Sequence, residues 1–273
     1  MLKRIISAIL GIVVLIFVMI QKNQLVFNFA VAIISTIALW EFYNAVSKKG
    51  LKPLSILGYI SVLSLIGIGY ISKDILVMII ALLFPILLLV AFAKSILTNL
   101  KYNIYDIAIT LVGVIYITYL FSFLIYTRVM PHGEYFIWYI LGGAWLTDTF
   151  AYFVGIAIGK HKFSQISPKK SIEGCIGGIL GCAIFYIGYT YFLNNNVSGI
   201  EINYILAGVL GIIVSVVAQI GDFAASSIKR FCEIKDYSEI MPGHGGILDR
   251  FDSIIMIAPV VYACLTLINM GII

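Results

Sequence analysis

Nine apolar runs, each of about 17 to 25 residues, occupy most of this chain and constrain it more than any motif does. They lie at roughly 5–21, 25–44, 54–71, 75–93, 105–127, 135–158, 174–193, 203–221 and 253–271. At a rise of about 1.5 Å per residue, runs of this length cross a hydrocarbon layer of about 30 Å as helices. None alternates with a period of two, and in hydrocarbon a helix satisfies its own backbone, so barrel strands are excluded. Turn-forming residues punctuate the breaks, as in Lys49-Gly50, Pro131-His132-Gly133 and Asn194-Asn195-Asn196. The composition agrees, with 62% hydrophobic and 11% charged residues and a mean hydropathy of +1.07. The fold class is an all-α polytopic membrane protein with about nine transmembrane helices.

Orientation follows from the basic residues. With a cytoplasmic N-terminus, 15 of the 18 Lys and Arg residues fall on the inner side, and only Lys22, Lys73 and Arg128 fall outside. That bias places the N-terminus in the cytoplasm and the C-terminus outside. No small-x-small cleavage pattern follows the first run before Gln21-Lys22-Asn23-Gln24, so it reads as an anchor helix. The net charge of +5 reflects this topology and anionic lipid head groups, with no nucleic-acid partner implied. Cys175, Cys182, Cys232 and Cys264 form no C-x-x-C pair and read as packing residues. No soluble domain, fixed-period repeat or low-complexity linker is found. The chain divides into N-terminal helices at 1–130 and a catalytic membrane domain at 131–273, whose chemistry lies in cytoplasmic loops at 159–173 and 222–252.

Acidic residues are scarce in such a chain, so each one is informative. Asp148 sits about 16 Å from the end of its helix, where a carboxylate costs at least ~2.5–3.5 kcal/mol unless paired or coordinated. It is either a structural ion pair or hydrogen-bonded core residue, or a ligand for a cation. Trp145, Thr147, Thr149 and Tyr152 around it suggest a polar face turned inward. Glu41, at the inner end of the second helix, reads as a snorkelling side chain. On a helix, Gln219, Asp222, Ser226 and Lys229 share one stripe, lining up a carboxylate, a hydroxyl and an ammonium.

Downstream, Pro242-Gly243-His244-Gly245-Gly246 forms a turn whose amides can approach an anion closely. Asp249 and Asp252 follow one turn apart. Carboxylates from different helices suit a hard cation such as Mg²⁺ shared with phosphates, whereas the scattered histidines disfavour zinc. Complementary charge comes from the loop containing Lys160, Lys162, Lys169 and Lys170, which meets a helix start at Ser171 and suits a polyphosphate. The Gly155-to-Lys160 stretch is too short for a phosphate-binding P-loop and lies in a membrane helix. Gly155, Gly159, Gly174 and Gly178 read better as close helix-packing positions.

Taken together, the run S-S-I-K-R-x4-K-D-x-S-x2-M-P-x-H-G-G-I-x-D-R-F-D from Ser226 to Asp252 resembles the signature of the phosphatidate cytidylyltransferases, or CDP-diglyceride synthases. Met241 departs mildly from the usual Leu, Ile or Phe. Asp148 and the S-P-K-K-S-x-E-G loop also match, so the resemblance covers at least 142–273.

The resemblance implies transfer of a cytidylyl group from CTP to phosphatidate, giving CDP-diacylglycerol and pyrophosphate. It further implies catalytic roles for Lys229, Arg230, His244 and Arg250, and substrate contacts from Lys169, Lys170, Ser171, Ser226, Gly245 and Gly246. Asp148, Asp222 and Asp249 would hold Mg²⁺, as two divalent cations, while Lys235 and Asp236 support the loop. The setting implied is the cytoplasmic membrane of a bacterium, with the site facing the cytoplasm, a lateral opening for the lipid, and room for a homodimer. A CTP-dependent polyprenol or phytol kinase is the nearest alternative. An ion-coupled transporter would need broken helices and internal repeats, which are not found.

Overall fold

A computed structural model describes residues 2–272 except 164–166, 168, 169, 242 and 244, with backbone alone at 2–10, 73, 74, 76 and 80. Among these residues the chain is helical and contains no strand. The helices are α1 (Leu2–Ile20), α2 (Gln24–Ser47), α3 (Ser55–Ile66), α4 (Lys73–Leu97), α5 (Ile104–Gly113), α6 (Leu120–Val129), α7 (Gly133–Ile158), α8 (Ile172–Asn196), α9 (Tyr204–Phe231) and α10 (Leu248–Asn269). A π-helical segment, Val114–Tyr119, joins α5 to α6 in one continuous body.

Seven of these bodies are long and apolar enough to cross a membrane among the described residues, which makes the chain a polytopic α-helical membrane protein. The third apolar run differs from expectation. Its helix stops at Ile66 after 12 residues, about 18 Å and well short of a bilayer. The amide of Asn28 ends it, donating to Ile66 O at 3.0 Å and Ile68 O at 2.8 Å. The expected loop at 222–252 is also shorter. The α9 helix runs on to Phe231 and α10 begins at Leu248, so Asp222, Ser226, Lys229 and Arg230 are helical residues.

The chain forms two compact units, Met1–Val129 with Phe231–Arg250, and Met130–Arg230 with Phe251–Ile273. In the first, polar groups join the helices. The Tyr43 hydroxyl donates to Thr110 O at 2.9 Å. Asn103 and Asp106 form a capping box at the start of α5, and Asp106 Oδ1 also accepts from Lys52 N at 2.6 Å. Arg128 donates to Gln21 O at 3.1 Å and lies over the Phe27 ring.

In the second unit, α7 and α8 pack through small residues. A Cβ on Gly174 would lie 2.7 Å from Ala151 O, and one on Gly178 would lie 2.9 Å from Thr147 O. Glycine is therefore needed there for backbone-to-backbone approach, as the sequence suggests, and such contact drives association where lipid is as apolar as leucine. Buried hydroxyls add to it. Tyr186 donates to Tyr139 O at 2.7 Å, and Tyr139 shares a 2.6 Å hydrogen bond with Thr190.

Candidate active site

The second unit gathers charge around the start of α8 and the C-terminal half of α9. Ser171 caps α8, its Oγ accepting from Gly174 N at 3.1 Å. The loop before it is tied down by Glu173, whose carboxylate accepts from Lys160 N at 3.2 Å and contacts His161 Nδ1 at 2.6 Å. Two backbone bonds, Phe163 N to Lys170 O and Ile172 N to His161 O, complete the tie at 3.0 and 2.9 Å. Lys170 is thereby aimed at α9. Its ammonium lies 2.6 Å from Asp222 Oδ2 and 4.8 Å from the centroid of the Phe223 ring, which in turn stacks on Phe163. Both members of the ion pair are half-buried, a setting in which an ion pair is stronger than one fully in water.

Beneath Asp222, α9 and α10 meet closely. A Cβ on Gly221 would lie 2.8 Å from Asp252 O, and Ser253 Oγ donates to Ala218 O at 3.0 Å. Asp252 is 7% exposed and accepts from Ser253 N at 2.7 Å. Asp222, Lys229 and Asp148 all act on it electrostatically. Three carboxylates from α7, α9 and α10 thus fall within one neighbourhood, faced by the ammonium groups of Lys170 and Lys229. Asp252, which the sequence offers only as a neighbour of Asp249, is the buried one of the three.

The stripe on α9 divides by function. Gln219 is buried and committed to α8, donating to Cys175 O at 3.1 Å. Asp222, Ser226 and Lys229 are half-buried, and Arg230 is exposed. On α7 the expected inward polar face is not formed. Trp145, Asp148, Thr149 and Tyr152 lie on the exposed side, and only Thr147 is buried. Residues at i, i+3, i+4 and i+7 share a face, and Thr147, two residues from Trp145, falls opposite.

In the first unit two carboxylates hold Tyr237, Ser238 and the stretch Gly246–Leu248. Asp249 Oδ2 accepts from Tyr237 N at 3.0 Å and Gly246 N at 2.9 Å. Glu41, fully buried on α2, accepts from Ile247 N at 2.9 Å, Leu248 N at 2.7 Å and the Ser238 hydroxyl. It does not snorkel. Met241 N donates to Gly245 O at 3.0 Å, closing a turn in which Gly245 has φ +84°, a conformation that favours glycine. Arg250 is exposed. His244 and Lys169, expected to be catalytic and substrate-binding, lie outside the described residues.

No group of three or more His, Cys, Asp or Glu side chains among the described residues is close enough to hold a metal ion as it stands. The carboxylates around Asp252 are oxygen donors of the kind a hard cation prefers, with the Cys175 thiol within electrostatic reach of Asp222 and Lys170.

The Cytidylyltransferase family, compared as a sequence model, matches residues 2–268. The phosphatidate cytidylyltransferase of Staphylococcus aureus (strain COL) is 35% identical over 264 residues, covering 94% of this chain and 95% of that protein. That of Staphylococcus haemolyticus (strain JCSC1435) is 34% identical over 264 residues, with the same two shares. That of Bacillus subtilis (strain 168) is 32% identical over 275 residues, 98% of each chain. None of these similarities supports a lipid kinase or a transporter.

Proposed function

Because the chain belongs to the Cytidylyltransferase family, matched over nearly its whole length, we propose that it transfers the cytidylyl group of CTP to phosphatidate, giving CDP-diacylglycerol and pyrophosphate. A phosphate oxygen of the lipid forms a bond to the α-phosphorus of CTP. The α–β anhydride bond breaks, and its electrons leave on pyrophosphate. The nucleophile is already an anion, so the protein supplies positioning and charge compensation more than proton transfer. Lys170, Lys229 and Arg230 in the second unit, and Arg250 with the Gly245 amide in the first, are the groups suited to phosphate, the Gly246 amide being taken by Asp249. Asp148, Asp222 and Asp252, and Asp249 in the other unit, are the oxygen donors suited to Mg²⁺, which when bound offsets charge on the phosphates and the leaving group.

The strongest support in the structure is the Lys170–Asp222 pair at 2.6 Å beside buried Asp252, which sets a cation suited to phosphate next to a carboxylate suited to Mg²⁺. The skew of 15 basic residues out of 18 supports a site facing the cytoplasm in a bacterial cytoplasmic membrane. Incubating the purified protein with phosphatidate and CTP labelled at the α- or γ-phosphorus tests the reaction. The α label should enter the lipid and the γ label should leave in pyrophosphate. A γ label recovered in the lipid would identify a kinase instead.

A further inference from the structure

We infer that Glu41 on α2 is a positioning residue for the transfer reaction, fixing Ser238, Ile247 and the start of α10 from a helix about two hundred residues away in sequence. A buried carboxylate is costly unless its acceptor capacity is filled. Glu41 is fully buried, and all three of its described partners are donors. Oε1 accepts from Ile247 N and the Ser238 hydroxyl, and Oε2 from Leu248 N. Leu248 opens α10 and Ile247 directly precedes it, so the two amides stand at the helix start, where N–H groups lack partners within the helix and a negative charge is favoured.

The glycine beside it shows that this contact shapes the segment. A Cβ on Gly246 would lie 2.5 Å from Glu41 Oε1 and 2.8 Å from Oε2, and Gly246 has no positive φ to explain its identity otherwise. Gly246 is a glycine because the carboxylate of α2 occupies the space. With Asp249 Oδ2 accepting from Tyr237 N and Gly246 N, two carboxylates take five donors between Tyr237 and Leu248. Glu41 therefore acts on the reaction through Gly245, Gly246, Asp249 and Arg250, its own carboxylate being taken up by protein donors.

The inference rests on the transferase reading, and wild-type turnover, measured first, separates failure of the one from failure of the other. In the full-length detergent-solubilised protein, Glu41→Gln replaces an acceptor oxygen with an NH₂ group that faces another N–H. Turnover should fall roughly 10- to 100-fold, as for other misplaced reactive groups. Hydrogen exchange should quicken in peptides covering 237–248 while α7 and α8 keep wild-type protection. Glu41→Asp, which keeps the charge and withdraws it, should recover part of the rate. Gly246→Ala should be less damaging in the Glu41→Asp background than in the wild type. Glu233→Gln, in the same unit but outside this network, should keep full activity. Wild-type turnover in Glu41→Gln, exchange that quickens uniformly along the chain, or independent effects of Glu41→Asp and Gly246→Ala would each overturn the assignment.

Discussion

The carboxylates assigned to the site and its frame are held differently in the two units. In the second, the charge on Asp222 meets the charge on Lys170, and Asp252 stands among further charged side chains. In the first, Glu41 and Asp249 meet backbone amides. An ion pair between half-buried side chains can be remade when a ligand offers better partners, since either side chain can rotate away. A carboxylate that holds amides of a loop and a helix start cannot leave without releasing the backbone. The second arrangement suits groups that handle substrate. The first suits a fixed frame within its own unit.

The largest effect should come from breaking the exchangeable side of this contrast. Asp222→Asn keeps the shape and removes the charge that faces Lys170, so turnover should drop on the order of 10³-fold while the protein inserts and melts as wild type. Turnover as a function of Mg²⁺ concentration, beside a thermal melt, checks it. Near wild-type rates without added Mg²⁺ would remove Asp222 from the site.

A smaller effect is expected at Asp249, where both roles are in question. An Asn there can still accept through its one carbonyl oxygen, so a purely framing residue should tolerate Asp249→Asn. A residue that also holds Mg²⁺ should lose roughly 100-fold and regain part of it at high Mg²⁺. We expect the loss, with Asp236→Asn on the same segment retaining substantial activity, and the comparison of Mg²⁺ titrations for the two variants decides it. The smallest effect belongs to the exposed Lys49–Glu233 pair, whose hydrogen bond holds the Glu233 carboxyl below its ordinary pKa. Any stability it adds is present above the usual carboxylate range and lost as pH falls. Because the pair is solvated, melts of Glu233→Gln at neutral and acidic pH should match the wild type.

What could be read from the chain beforehand follows the same division. Asp222 and Lys170 stand out because charges are rare in so apolar a sequence, and helical spacing alone puts Asp222, Ser226 and Lys229 on one stripe. Their place within α9 was hidden because hydropathy falls after Gly221 although the helix continues to Phe231. Periodicity reports burial, and a helix that leaves the apolar layer loses that signal without losing its hydrogen bonds. Glu41 was hidden for another reason. Its partners at Ile247 and Leu248 are amides 206 and 207 residues away, and an amide is the same whatever side chain it carries. The early end of α3 was missed likewise, since it depends on Asn28 reaching two distant carbonyls.

The π-helical segment at Val114–Tyr119 has a consequence for the angular phase of the helix that contains it. A π turn absorbs one residue beyond the α repeat, so α6 continues α5 as though the chain were one residue shorter. Each residue of an α-helix turns the face by about 100°. Removing one residue from an uninterrupted span such as α8 would rotate everything beyond it off its packing surface. Removing one from Val114–Tyr119 would instead let Ile104–Val129 close into a regular α-helix with both ends still facing their neighbours, which makes it the position along this body where the chain can lose a residue and keep its faces.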